Sequence, residues 1–243
     1  MSAVASLPDP GRRAKDLLLV QAMFDRVAPR YDLLNSVLSL GQDAHWRRVA
    51  AAAATPAGRT VLDVAAGTGA LSHELIARGA REVVALDLSW AMLTEGARRL
   101  RGRNVPDVRW LNADAQRLPL PTASVDAVTI AFGLRNVPDP EIALSEFARV
   151  TRPGGQVVVL EFARPTWEPF RRVYDRYLTR GLPRVAQALS PSPEAYGYLA
   201  QSILAWPDRR CLADWMEATG WCGVEVKDLS GGIVAIHRAT RTT

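Results

Sequence analysis

The sequence predicts an α/β protein built on a doubly wound, mostly parallel sheet. Three observations carry this. From Arg59 onward short apolar runs alternate with helical stretches, and a Gly-x-Gly turn opens the first of those helices. Two terminal runs then meet at Ser230-Gly231-Gly232. Alternating strands and helices imply parallel strands whose crossover helices cover both faces. The terminal runs read as a hairpin, so at least one strand is antiparallel.

The elements follow in order. Residues 14–54 read as helical: Leu17, Val20, Met23, Phe24 and Val27 recur at helical spacing, then Tyr31 to Leu38, then an Ala-rich run from His45 to Ala54. Pro56 and Gly58 close that region. Strands are expected at 60–64, 82–86, 108–111, 124–130 and 156–162. Helices are expected from the glycine turn to about residue 78, over 89–101 and over 141–150. Residues 165–206 break the rhythm as a helical insertion. A helix at 208–219 and strands at 223–227 and 233–237 complete the chain. With no repeat and no low-complexity linker, one domain is expected: a helical N-terminal cap (1–58), a cofactor-binding core (59–164), the insertion (165–206) and a C-terminal helix and hairpin (207–243).

Composition narrows the class. At 243 residues, 48% hydrophobic and 23% charged, the chain suits an ordinary globular protein with a sizeable core. Its two cysteines, Cys211 and Cys222, form no CxxC pair, which argues against a disulfide framework or zinc site. His45 and His73 have no carboxylate or cysteine neighbours at ligand spacing, so no metal is expected. His237, in an apolar strand, reads as structural. The N-terminus does not read as a signal peptide, and no run reaches the roughly 18 apolar residues of a membrane span. A cytoplasmic location follows as the expectation. The net charge of +5 permits an anionic partner but equally describes an arginine-rich composition with none; no nucleic-acid partner is expected.

The most informative segment is Val61-Leu62-Asp63-Val64-Ala65-Ala66-Gly67-Thr68-Gly69-Ala70-Leu71. A strand runs through Asp63 into a turn whose Gly67 and Gly69 allow positive φ and close approach of a ligand to the backbone. Ligands of open α/β sheets bind beyond the carboxyl ends of the strands. Asp87, at the end of the next strand, is placed to accept from two ribose hydroxyls. Asp114, after the third, is placed to accept from an adenine amino group. A nicotinamide dehydrogenase would carry Gly-x-Gly-x-x-Gly, but the third position here is Ser72. The pattern favours S-adenosylmethionine (SAM).

Asp-x-x-x-Gly-x-Gly with a later acidic residue resembles the class I SAM-dependent methyltransferases, whose Rossmann-like fold has seven strands and a terminal antiparallel hairpin. Further motifs are similar to the ubiquinone/menaquinone biosynthesis C-methyltransferases. They are Met23-Phe24-Asp25 with Tyr31-Asp32 and Asn35, Phe132-Gly133-Leu134-Arg135-Asn136-Val137, Arg152-Pro153-Gly154-Gly155 and Leu160-Glu161-Phe162. Tyr196-x-Tyr198-Leu199 with Ser202-Ile203, and Gly232-Ile233-Val234-Ala235-x-His237, join them. Gly41-Gln42-Asp43 and Trp206-Pro207-Asp208 look closest to the actinobacterial demethylmenaquinone methyltransferases. The resemblance implies methylation of a ring carbon of a prenylated hydroquinone, most simply demethylmenaquinol to menaquinol. It implies SAM contacts at Thr68, Asp87, Asp114 and Ala115. A further contact is implied where the family usually has serine and this chain has Ala131. With the turn residues, the expected cofactor set is Asp63, Gly67, Thr68, Gly69, Asp87, Leu88, Asp114, Ala115 and Ala131.

The expected acceptor is a hydrophobic quinol or phenol. Its ring carbon turns nucleophilic as the adjacent hydroxyl loses a proton, so the site needs a cationic group near that oxygen. Arg135, with Asn136 orienting the ring oxygen, follows the fourth strand and suits this role. Arginine is effectively always protonated, which argues against a literal base. Tyr31 belongs either to a lid over the cofactor or to the core. Over 168–190 the apolar residues Phe170, Val173, Tyr174, Tyr177, Leu178, Leu182, Val185 and Leu189 form a stripe. Arg172, Arg176, Arg180 and Arg184 lie beside it, and Gly181 and Pro183 should kink the helix. Such a segment suits either peripheral contact with an anionic membrane or packing on the domain with a solvated arginine face. Two rival functions stay open: a specialised-metabolism enzyme acting on another phenol, and a non-catalytic scaffold subunit. A homodimer is compatible with the sequence.

Overall fold

The structure is a computed structural model that describes residues 22, 25, 36, 39, 41–100, 108–182, 184 and 193–242. Its sheet has seven strands: β1 (Thr60–Val64), β2 (Glu82–Asp87), β3 (Val108–Asn112), β4 (Val125–Ala131), β5 (Thr151–Phe162), β6 (Trp221–Leu229) and β7 (Val234–Arg241). Their order is β3-β2-β1-β4-β5-β7-β6. β1 to β5 pair in parallel, whereas β7 runs antiparallel to both β5 and β6. The chain first builds outward from β1 to β3, then returns to place β4 on the other side of β1. That reversal puts a crevice at the carboxyl ends of β1 and β4.

Among the described residues the longer helices are α1 (Gln42–Ala53), α2 (Ala70–Ala77), α3 (Trp90–Leu100), α4 (Pro140–Val150), α5 (Glu168–Arg176), α6 (Pro193–Ala205) and α7 (Arg209–Ala218). Alternation along the buried strands divides the core. Leu62, Val84, Val128 and Val159 face α4 and α7, where Leu144, Phe147, Leu212 and Met216 meet them. Val61, Val83, Ala127 and Val158 face α1 and α2, where Trp46, Ala50, Ala51, Leu71 and Leu75 meet them. The larger apolar side chains here each contribute about 1.5–3 kcal/mol when taken from water, and α1, with Trp46, Ala50 and Ala51 buried among them, is a structural layer. It is locked at its start by Trp46, whose Nε1 donates to Ser230 Oγ at 2.8 Å in the turn before β7.

The two terminal strands run longer than expected, and two further elements differ more from the sequence pattern. β5 starts earlier, because Arg152-Pro153-Gly154-Gly155 forms a bulge within the strand. Thr151 pairs with Val125 before it and Gln156 with Ala127 after it. Pro153 is tolerated there because a bulge needs no ladder hydrogen bond from it, and Arg152 clamps the bend by pairing with Asp126. The stripe over 168–190 also splits. Tyr174, Leu178 and Leu182 pack against Ala200 and Ile203 of α6. Val173 and Tyr177, about a quarter-turn away, face solvent. The helix passes at Tyr177–Gly181 through a wider π-type turn, while Val185 and Leu189 lie outside the described residues.

Candidate active site

At the carboxyl ends of β1 to β4 lies a cleft of about 1000 Å³, counted out to its open mouth. Of the residues expected at the cofactor, Asp63, Gly67, Thr68, Asp87, Leu88, Asp114, Ala115 and Ala131 line it, as does Asn136. Gly69 does not. It opens α2 with φ +78°, and the space its Cβ would take is filled by Trp110, 2.6 Å away. The second glycine of the turn thus admits an indole of β3. Tyr31 lies outside the described residues.

Two turns shape the floor. Ala65, just past β1, and Phe132, just past β4, both line the cleft at left-handed φ, 51° and 58°. Non-glycine residues hold such angles at a cost and cluster at functional sites. The turns press together so closely that a Cβ on Gly133 would sit 2.3 Å from that of Ala65. Only glycine fits between them.

The carboxylates are held differently. Asp63 is buried and accepts from Ser72 Oγ at 2.6 Å and Thr129 Oγ1 at 2.9 Å. Burial pushes its pKa up to about 6, against the pull of those hydroxyls and of the Arg47 charge. Ser72 therefore occupies the fingerprint's third-glycine position for a reason: it grips Asp63. Asp87 accepts from the backbone N–H of Gly67 and of Ser89, each at 2.8 Å, leaving lone pairs toward the cleft. Burial raises its pKa, the backbone N–H groups oppose this, and Asp25 raises it again. Asp25 reaches the site through a hydrogen bond from Ser89 Oγ. Asp114 accepts from the N–H of Gln116 at 2.9 Å.

Beyond Phe132 the side chains of Arg135 and Asn136 diverge. Arg135 is not among the lining residues; its guanidinium is buried against Glu161 at 2.9 Å. It also donates to the Phe132 carbonyl and, through Nε, to Ser202 Oγ at 3.3 Å, and lies 5.1 Å from the Phe162 ring centre. Asn136 faces the cleft, its Oδ1 accepting from Tyr198 Oη at 3.2 Å.

Sequence reasoning missed Arg47, Ser89, Met92 and Phe132 as cleft residues and Glu161 as the partner of Arg135. Glu161, Phe132 and Ser202 stood in motifs without assigned roles; Arg47 had no local signal. Among the described residues the lining opposes three carboxylates, Asp63, Asp87 and Asp114, to one basic side chain, Arg47. That balance fits SAM, which is cationic overall and carries one anionic group.

Comparison with known proteins decides the family. A model described as the ubiE/COQ5 methyltransferase family matches residues 12–241. The chain belongs to the ubiE/COQ5 methyltransferase family. Among curated members, a demethylmenaquinone methyltransferase of Renibacterium salmoninarum is 54% identical over 222 residues, covering 90% of this chain and 91% of the relative. One from Mycolicibacterium paratuberculosis is 53% identical, covering 91% and 94%. Among solved structures, a SAM-dependent methyltransferase of Thermotoga maritima superposes with a TM-score of 0.66 at 20% identity, covering 90% of this chain and 98% of that one. A Haemonchus contortus phosphoethanolamine N-methyltransferase in complex with S-adenosyl-L-methionine has a TM-score of 0.57 at 15% identity, covering 77% and 49%. Both show that this family member has the class I methyltransferase fold.

Proposed function

We propose that this protein transfers the methyl group of SAM to a ring carbon of demethylmenaquinol, giving menaquinol. The observation that carries the reading is identity above 50% across nine-tenths of the chain to proteins named for that reaction. The cleft's three carboxylates and the Arg47 guanidinium support the cofactor. When bound, SAM supplies an electrophilic methyl on a sulfonium. The chain's part is to hold the acceptor carbon in line, roughly 3–3.5 Å from that methyl, and to stabilise its phenolate. Asp87 takes the ribose hydroxyls, Asp114 the adenine amino group and Asp63 the amino-acid end. Asn136, its Oδ1 engaged by Tyr198, turns its amide N–H groups to the ring oxygen. Arg135 acts through its charge and through the Phe132 turn that it braces.

Incubation with radiolabelled SAM and chemically reduced demethylmenaquinone should yield labelled menaquinone on chromatography. SAM binding by calorimetry without label transfer would move the substrate to other phenols, and rapid turnover of a tail-free acceptor would favour the specialised-metabolism rival.

A tailed quinol resides in lipid, and among the described residues no helix is long and apolar enough to cross a membrane. The reading therefore includes peripheral contact through α5. Trp167 and Val173 are 69% and 65% exposed, beside the exposed Arg172, Arg176 and Arg180. Apolar side chains flanked by arginines suit an anionic interface. Exchanging Trp167 and Val173 together for serine should weaken co-sedimentation with phosphatidylglycerol vesicles about 10-fold or more. Undiminished binding would place the contact elsewhere.

A further inference from the structure

Arg47 is the only basic side chain in the cleft lining among the described residues. It projects from α1, outside the glycine turn and all the strand ends that form the rest of the floor. Its neighbours locate it along the cleft. The strand order β3-β2-β1-β4 lays out Asp114 at one end, Asp87 next, then Asp63 and finally Phe132. Arg47 lies at the last of these, its Cζ 5.8 Å from the Phe132 ring centre. It is close enough to Asp63 for its charge to pull that carboxyl down against burial. With adenine at Asp114 and ribose at Asp87, this is the amino-acid end of the cofactor.

The guanidinium has room for a second anion. Nη1 donates to Asp43 Oδ2 at 2.6 Å, one helical turn earlier, and Asp43 is its only hydrogen-bond partner among the described residues. An arginine carries five N–H donors in a rigid fork. Asp43 is itself held by Ser39 Oγ at 3.1 Å, so it fixes the direction in which the fork points. Both side chains are only 11% exposed. Stability alone is a weak reason to keep so buried a pair, because desolvation offsets most of the Coulomb gain. A fork held by one carboxylate and open to a cleft is well suited to bidentate capture of another.

We propose that Arg47 binds the α-carboxylate of the cofactor's methionine moiety, with Asp43 as its positioning residue and Asp63 set for the α-ammonium beside it. The site thus reads the two charges of an α-amino acid with one residue of each sign. This rests on SAM being the cofactor, and the experiment separates the two. Calorimetric affinities are measured for SAM and for decarboxylated SAM, which differ by that carboxylate alone. Wild type should favour SAM by about 10- to 100-fold, the range of a charge-assisted contact. In Arg47→Gln that preference should collapse toward equality, SAM losing the affinity while decarboxylated SAM keeps its own within about threefold. Arg47→Lys, which preserves the charge but not the fork, should retain part of the preference and serves equally if the glutamine variant fails to fold. Equal binding of the two ligands by wild type, or equal losses for both in the variants, overturns the role of Arg47. If wild type binds neither, the cofactor reading falls and the proposal with it.

Discussion

Asp63→Asn is expected to stabilise the ligand-free protein above pH 6 while weakening its grip on SAM. The carboxyl is 1% exposed, and burial pushes its pKa from the usual 3.8 to about 6. In the folded state it holds its proton more tightly than in the unfolded chain. Stability therefore falls as pH rises from near 4 to near 6 and stays lower above, by up to ~3 kcal/mol for this group. An asparagine removes that penalty; one of the hydroxyls of Ser72 and Thr129 can accept from its amide N–H while the other keeps donating to its oxygen. Urea unfolding from pH 4 to 8 should show the two stability curves crossing, with the wild type the more stable by roughly 1 kcal/mol at the acid end. At the alkaline end the variant should be more stable by ~1–2 kcal/mol, after some loss in hydrogen bonding. SAM affinity should rise in the wild type as Asp63 ionises through pH 6 and should be flatter and weaker in the variant. A variant less stable at every pH would mean that the carboxylate, buried as it is, is net favourable.

The second large effect is at the Arg135–Glu161 pair. Its side chains are 5% and 2% exposed, and Glu161 also accepts from the N–H of Phe162 at 2.8 Å. Removing one member of such a pair strands the other charge and costs about 3–5 kcal/mol. Arg135→Met alone should therefore lose that much stability, and any fall in its activity would be uninformative. Arg135→Met combined with Glu161→Gln neutralises both sites and keeps an acceptor for Phe162, so most of the stability should return. Turnover should not. On the proposed role of Arg135 toward the developing phenolate, loss of its charge is expected to lower kcat by about 10²–10³ at unchanged SAM affinity. Wild-type kcat in a folded double variant would reduce Arg135 to a brace for the Phe132 turn.

The contrast between Arg135 and the acidic residues shows what was legible. The places of Asp63, Asp87 and Asp114 followed from strand periodicity and one glycine turn, because consecutive residues at a strand's carboxyl end have little freedom in where they emerge. The terminal hairpin followed from two apolar runs around Ser230-Gly231-Gly232. Gly69 was legible as a residue that cannot carry a side chain, but the indole of Trp110 that explains it comes from β3. Likewise the apolar stripe of α5 was legible as apolar, yet which half is buried depends on α6.

By itself, then, the sequence determined the succession of strands and helices along the chain, the crevice at the carboxyl ends of the strands and the three carboxylates at its edge. Each of these depends on neighbours within a few residues along the chain. Only the tertiary structure decided that α1 is a core layer, that its Arg47 enters the cleft, that Arg135 is buried on Glu161 and that Tyr198 holds Asn136. Periodicity reports which way a side chain faces relative to its own helix or strand. It carries no information about which distant element will meet that face, and these contacts join segments that packing alone brings together.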